Sequence, residues 1–125
     1  MRASSLTLAF APLSALAQGI NITETNEVDL ANGTGNLGWG ATDLPFGYSA
    51  GVGFNFAENE IGGGFNGAVP GQAEGAFGCG YTVNSTNVVL GLGATLGNQS
   101  IGVEVVQDKT TGAVKVVVNG KEVTL

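Results

Sequence analysis

The feature that most constrains this chain is a strict alternation between positions 44 and 56. Every even position carries an apolar or aromatic side chain, and most odd positions carry glycine, serine or asparagine. A repeat of two residues places successive side chains on opposite faces of a strand, whereas a helix needs a repeat of about 3.6 residues. The alternation recurs at 77–83, 88–96, 101–105 and 114–118. The chain is therefore predicted to be all-β.

Turn signals separate the alternating runs. Asn119-Gly120 favours a two-residue hairpin, and further hairpin loops are predicted at 83–87, 96–100 and 108–112. The last quarter should form a three-stranded antiparallel meander. We expect about seven short antiparallel strands in all, arranged as a small β-sandwich or barrel. Residues 58–74 contain several glycine clusters and are predicted to form a long loop.

The first 17 residues have the pattern of a secretory signal peptide. Arg2 precedes an apolar stretch, and the small residues Ala15 and Ala17 suit cleavage before Gln18. Residues 18–125 are enough for a single β-rich domain. The product is expected to be secreted and extracellular, with association with a cell wall as one outcome, and no membrane partner is expected.

Composition excludes most catalytic and nucleic-acid-binding functions. The chain has no histidine, and residues 18–125 have no arginine and only the lysines at 109, 115 and 121. A catalytic triad, a Cys-His pair and a histidine-ligated metal are therefore excluded. The chain also has too few cationic side chains to neutralise phosphate groups, so no nucleic acid partner is expected. We predict neither a cofactor nor a metal centre.

Four N-glycosylation sequons occur, which is more than chance predicts for a chain of this composition. They begin at Asn21, Asn32, Asn84 and Asn98. The last two fall in hairpin loops predicted independently from the alternation, where a glycan has room. Use of at least two of them is expected in a host that glycosylates secreted proteins.

Two features concern the strands themselves. The single cysteine, Cys79, shares the apolar parity of Phe77 and Tyr81, which predicts a buried thiol. Many of the positions that alternate with the apolar ones carry glycine, which lowers the stability of a strand. These glycines indicate either bulges and bends, or close approach of a neighbouring copy or an extended polymer.

Three functions remain open. The leading hypothesis is a non-enzymatic protein that acts by surface contact, in a cell wall or matrix or against a host molecule. Its partners would be an extracellular protein, a polysaccharide or a second copy. The second is a carbohydrate-binding module that uses Trp39, which stands in the flexible glycine-rich stretch 37–40 with Asp43 and Asn36 nearby. An aromatic face beside polar groups suits sugars. The third is a small carboxylate hydrolase that uses Glu58 and Glu60, or Asp43 with a partner.

Overall fold

The computed structural model describes residues 19–70 and 75–124. The predicted signal peptide, residues 1–17, lies outside the described residues. A single-turn 3-10 helix spans Pro45–Gly47. The strands are β1 (Asn21–Asp29), β2 (Thr34–Thr42), β3 (Ser49–Ala57), β4 (Glu60–Val69), β5 (Gly75–Asn84), β6 (Asn87–Leu96), β7 (Gln99–Asp108), β8 (Val114–Val118) and β9 (Lys121–Val123).

The strands form one open antiparallel sheet whose order is the chain order, β1 to β9. The all-β prediction and the C-terminal meander of β7, β8 and β9 are confirmed. The predicted strand count is wrong, because nine strands replace seven, and the sheet does not close into a barrel. Short connections explain part of this topology. Residues 58–59, 85–86, 97–98 and 119–120 leave no length to cross into a second layer, so the strands that they join pair as hairpins.

The extra strands include β4, which occupies most of the segment predicted to be a loop. Its glycines pair with β3 and β5 along the whole strand. Several of them fill positions where a side chain has no room. A Cβ at Gly67 would lie 2.8 Å from the Phe77 ring, and one at Gly63 would lie 2.8 Å from the Gly53 carbonyl oxygen. Glycine here permits strand pairing, which the composition alone did not reveal.

The structure also differs from the sequence prediction at the start of the alternating run 44–56. Residues 44–47 form a β-turn in which the Gly47 N–H donates to the Leu44 carbonyl at 2.8 Å. Pro45 suits the second position of such a turn, and Phe46 takes the third with a φ of 66°. Phe46 is therefore not in the sheet, and its side chain is 88% exposed.

All eight strand pairs run in continuous register, without an inserted residue. Residues paired directly across neighbouring strands share a face. One face carries the even positions of β1, β3, β6 and β8 and the odd positions of the other strands; we call it the apolar face. The remaining strand positions form the glycine face. The strand glycines therefore do not mark bulges in these ladders.

Neither face is covered by another layer of the described residues. No hydrophobic residue among them is buried, and the apolar face is open to solvent. Cys79 lies on the apolar face, as its parity predicted, but it is only half-buried. The predicted burial of this thiol is therefore wrong for the single sheet, because burial requires a second layer that this chain does not form from its described residues.

Two aspartates hold the hairpin turns at one end of the sheet. Asp29 Oδ1 accepts the Ala31 N–H at 3.0 Å, and Asp29 Oδ2 accepts the Asn32 amide at 2.6 Å. Asp108 Oδ1 accepts the backbone N–H groups of Thr110 at 2.7 Å and Thr111 at 2.9 Å. These hydrogen bonds lower the pKa of both carboxyl groups below the ordinary value of 3.8. The largest effect at Asp29 comes from the Asn32 side chain, and the largest at Asp108 comes from the Thr111 N–H.

A carboxyl group whose pKa is lowered by folding stabilises the folded state above its unfolded pKa. That stabilisation is lost as pH falls through the lowered value. We therefore expect the denaturant midpoint to fall between about pH 5 and about pH 3, and to fall less in the double variant Asp29→Asn, Asp108→Asn. Urea titrations at the two pH values test this. Identical pH dependence in parent and variant would show that these turns do not contribute.

Candidate functional site on the two faces of the sheet

The apolar face is the largest candidate contact surface of this protein. Its aromatic and aliphatic side chains are unusually open, with Val52 52%, Phe65 53% and Leu92 62% exposed. These three lie in neighbouring parts of one continuous sheet, so the exposure forms a patch and is not scattered. Soluble monomers rarely expose apolar patches larger than a few hundred Å². Such a patch marks an interaction surface.

One row crosses the centre of the apolar face from edge to edge. In strand order from β1 to β9 it contains Glu24, Trp39, Val52, Phe65, Cys79, Leu92, Val103, Val118 and Lys121. Its seven inner members are apolar. Among the described strand positions of this face, the two ends of the row are the ones that carry a charge. The charges therefore stand on the edge strands, with opposite signs.

The glycine face is a shallow trough across the strands. Two rows of glycines run across neighbouring strands. One row contains Gly38, Gly53, Gly64, Gly80 and Gly91, and a second row beside it contains Gly78, Gly93 and Gly102. A cavity of about 830 Å³ lies over these rows. Backbone atoms form its floor, because glycine places no side chain there.

Internal packing requires glycine at some of these positions and not at others. At Gly64 an added Cβ would overlap the Cys79 carbonyl oxygen. At Gly53 the nearest atom to an added Cβ is the Leu37 carbonyl oxygen at 3.7 Å, and at Gly91 it is the Gly80 carbonyl oxygen at 3.9 Å. Both spaces accept a methyl group in ordinary van der Waals contact. The fold therefore does not demand glycine at Gly53 or Gly91.

The residues of the predicted sugar platform are separated by the strand geometry. Trp39 is half-buried in the interior of β2, on the apolar face, and does not stand in a flexible glycine segment. Asn36 is three positions away and so lies on the glycine face. Asp43 follows the end of β2, roughly 13 Å along the chain from Trp39 at the rise of an extended strand. Its carboxylate accepts the Thr42 hydroxyl at 3.3 Å.

The predicted glycosylation positions lie at the two ends of the sheet. Asn21, Asn32 and Asn98 are exposed, and Asn84 is half-buried at the end of β5. Asn84 Oδ1 accepts the N–H of Thr86 at 3.0 Å and that of Asn87 at 2.8 Å, which shapes the β5–β6 turn. Asn32 Nδ2 donates to Asp29. Glycans at these ends would leave the middle of the apolar face open.

Glu58 and Glu60, the candidate hydrolase pair, lie in and beside the β3–β4 turn, and both are exposed. Neither of them lines the cavity over the glycine face. Within residues 19–70 and 75–124, no cluster of three or more histidine, cysteine or acidic residues could hold a metal ion. The same part of the chain contains no helix long and apolar enough to cross a membrane.

Sequence reasoning missed Phe46 as a candidate contact residue. The aromatic ring stands outside the sheet on a turn, with a backbone φ in the left-handed region. Such a conformation is costly for a bulky residue and often accompanies a functional site. The signal was present in the order Leu-Pro-Phe-Gly, which favours a β-turn over a continuing strand.

The fold and its surfaces define a class of protein: an open antiparallel sheet with one apolar face and one glycine-rich face. Searches with models of protein families, curated proteins and solved structures gave no match.

Proposed function

We propose that this chain is a secreted, non-enzymatic glycoprotein that acts by surface contact, as a cell wall or matrix component or against a host molecule. The observation that carries the proposal is the open apolar face of the sheet. Apolar surface in contact with water is unfavourable by roughly 25 cal/mol per Å² relative to buried surface. Covering the apolar face would therefore stabilise the protein. The predicted β-sandwich belongs to this proposal, because the covering partner would supply the second layer.

The chemistry of the described residues supports contact over catalysis. The exposed carboxylates Asp29 and Asp108 are engaged in holding turns. Glu58 and Glu60 stand on an open hairpin, whereas glycoside hydrolysis uses two carboxyl groups that flank a bound sugar. Nothing in their surroundings favours the hydrolase.

Secretion of the chain is tested first. In a eukaryotic secretory host we expect a product in the medium that begins at Gln18, because Ala15 and Ala17 define the cleavage site. Removal of N-glycans should lower its mass by at least two glycans. N-terminal sequencing and mass spectrometry provide the measurements. A product that keeps Met1, or whose mass does not change, would contradict this part of the proposal.

The contact surface is tested with matched variants in one strand. Leu92→Gln changes an exposed residue of the apolar face, and Val89→Gln makes a comparable change on the glycine face of β6. Burying a leucine contributes about 1.5–3 kcal/mol. Loss of that contribution should reduce retention of the purified protein on isolated wall or matrix material about tenfold or more for Leu92→Gln. Equal retention of the two variants would exclude the apolar face.

A carbohydrate-binding module is the second candidate, because Trp39 keeps part of its surface exposed in the central row. An aromatic ring among aliphatic neighbours offers a flat surface for the C–H groups of a sugar. Trp39→Ala separates the candidates when Leu92→Gln is measured beside it. Loss of polysaccharide binding in Trp39→Ala alone would favour the sugar platform.

A further inference from the structure

We propose that the partner on the apolar face is a second copy of this chain, packed face to face about a two-fold axis parallel to the strands. The inference rests on the proposed function only in using the apolar face as the contact surface. Two observations carry it: the extent of the face, and the position of its two charges.

The extent of the face matches a stable dimer. Seven strands of nine or ten residues, each about 30 Å long, and the shorter strands β8 and β9, all spaced about 4.8 Å apart, give a face of about 1,100 Å². Covering that face in two copies removes about 2,200 Å² from water, which exceeds the roughly 1,200–2,000 Å² of a standard protein interface. The face is also continuous and apolar, as the interfaces of obligate homodimers are.

The two charges determine how a second copy would lie. Glu24 ends the central row at edge strand β1, and Lys121 ends it at edge strand β9. A two-fold axis along β5, the middle strand, brings β1 of one copy over β9 of the other while keeping each row in place. Glu24 of each copy then faces Lys121 of the other. Two ion pairs close the rim of an interface whose interior is apolar.

The alternative axis, perpendicular to the strands, is disfavoured by the same charges. It would bring β1 over β1 and β9 over β9, so that Glu24 meets Glu24 and Lys121 meets Lys121. Like charges at facing positions are unfavourable and act against that arrangement. The net negative charge of the chain does not oppose the dimer at this surface, since the other strand carboxylates lie on the glycine face.

Cys79 is a native reporter for this arrangement. It lies in the central row on β5, next to the proposed axis. Sheets packed face to face lie about 10 Å apart, too far for a direct disulfide at this point. The second copy would instead cover the Cys79 thiol, so dimerisation should slow its reaction with a thiol reagent. Since the chain has one cysteine, the rate of labelling reports on this position alone.

The experiment uses the purified secreted protein with its native cysteine. At micromolar concentration we expect a dimer in sedimentation velocity and protection of Cys79 from a monofunctional thiol reagent, because the second copy covers the thiol. Dilution to monomer should expose the thiol. A monomer at about 100 µM with a reactive Cys79 would overturn the proposal, because an interface of this size should be populated there.

Charge reversal tests the orientation of the dimer. Glu24→Lys or Lys121→Glu should weaken dimerisation on the order of tenfold at low salt, since each change affects two symmetry-related rim pairs. The double reversal Glu24→Lys, Lys121→Glu should restore it. Glu27→Lys is the matched control on the glycine face of β1 and should have no such effect. A dimer unaffected by the single reversals would overturn the proposed axis.

The outcomes also separate this inference from the proposed function. A monomer whose retention on wall or matrix still depends on Leu92 would reject the second copy and keep contact through the apolar face. Association with lipid vesicles in place of dimerisation would likewise reject the second copy. A monomer whose retention does not depend on Leu92 would reject both.

Discussion

Replacing Gly64 with alanine should destabilise the protein, whereas the same substitution at its cross-strand partner Gly53 should stabilise it. The two glycines face each other between β3 and β4. A Cβ at Gly64 would overlap the backbone oxygen of Cys79 and lie 3.1 Å from Gly80 Cα, and backbone atoms cannot rotate away. Forcing a methyl group into such a position costs about 1–3 kcal/mol.

Gly53→Ala has no such obstacle. Its new Cβ would meet the Leu37 carbonyl oxygen at 3.7 Å, and Gly53 is not among the glycines with a positive φ. Alanine there reduces the conformational entropy of the unfolded chain and should raise the free energy of unfolding by about 0.4–1 kcal/mol. Urea denaturation of parent and variants measures both effects. Changes of the same sign in the free energy of unfolding for Gly64→Ala and Gly53→Ala would contradict the packing of β3, β4 and β5 described above.

A charge on the apolar face should destabilise the protein much more than loss of a charge on the opposite face. Val116 lies in β8 between Val105 and Val123 in a cross-strand row. Val116→Asp places a carboxylate among these side chains at a half-buried position of the sheet. A poorly solvated polar group costs about 1–3 kcal/mol, and a charged group costs more. The denaturant midpoint should fall accordingly.

The control for Val116→Asp is Lys115→Gln. Lys115 Nζ is 2.7 Å from Glu122 Oε2 on the glycine face, and both side chains are largely exposed. The pKa of Lys115 is raised by the hydrogen bond to Glu122 and by its charge, with a smaller effect of Glu104. Breaking one exposed ion pair changes stability little. Equal effects of Val116→Asp and Lys115→Gln would contradict the register of β8.

Lys115→Asp, which the alternation alone suggests as the control, is less suitable. The structure places Glu122 and Glu104 around this position, so a third carboxylate would add like-charge repulsion. The sequence pattern assigns Lys115 to a face. The acidic neighbours on that face come from β7 and β9, and their identity depends on the pairing of three strands.

The alternation predicted several strands and their faces because side-chain direction in a strand depends only on position along the chain. Cys79, Leu92 and Val103 were each assigned to the apolar side of their own strand from the alternation, and the structure puts them in one row. The turn at Asn119-Gly120 was also predicted from local sequence, because these residue types tolerate the positive φ that both adopt in the structure. Predictions of this kind needed no knowledge of neighbouring strands.

The candidate site was less predictable. Trp39 was interpreted as part of a flexible glycine-rich stretch, yet β2 forms because β1 and β3 pair with it on both sides. The role of β4 was hidden for a similar reason: Gly64 and Gly67 look like loop residues until the atoms of β5 that fill their space are known. Pairing across strands decides these cases, and a single sequence does not display it.

The sequence by itself determined the all-β character, the opposite chemistry of the two faces and the positions of the hairpin turns from β5 to β9. Each follows from interactions between residues close together in the chain. Only the tertiary structure decided that the strands form a single open sheet in chain order, and that Glu24 and Lys121 end the same row. Strand register and the covering of a face depend on contacts between distant residues, and local alternation is compatible with more than one such arrangement.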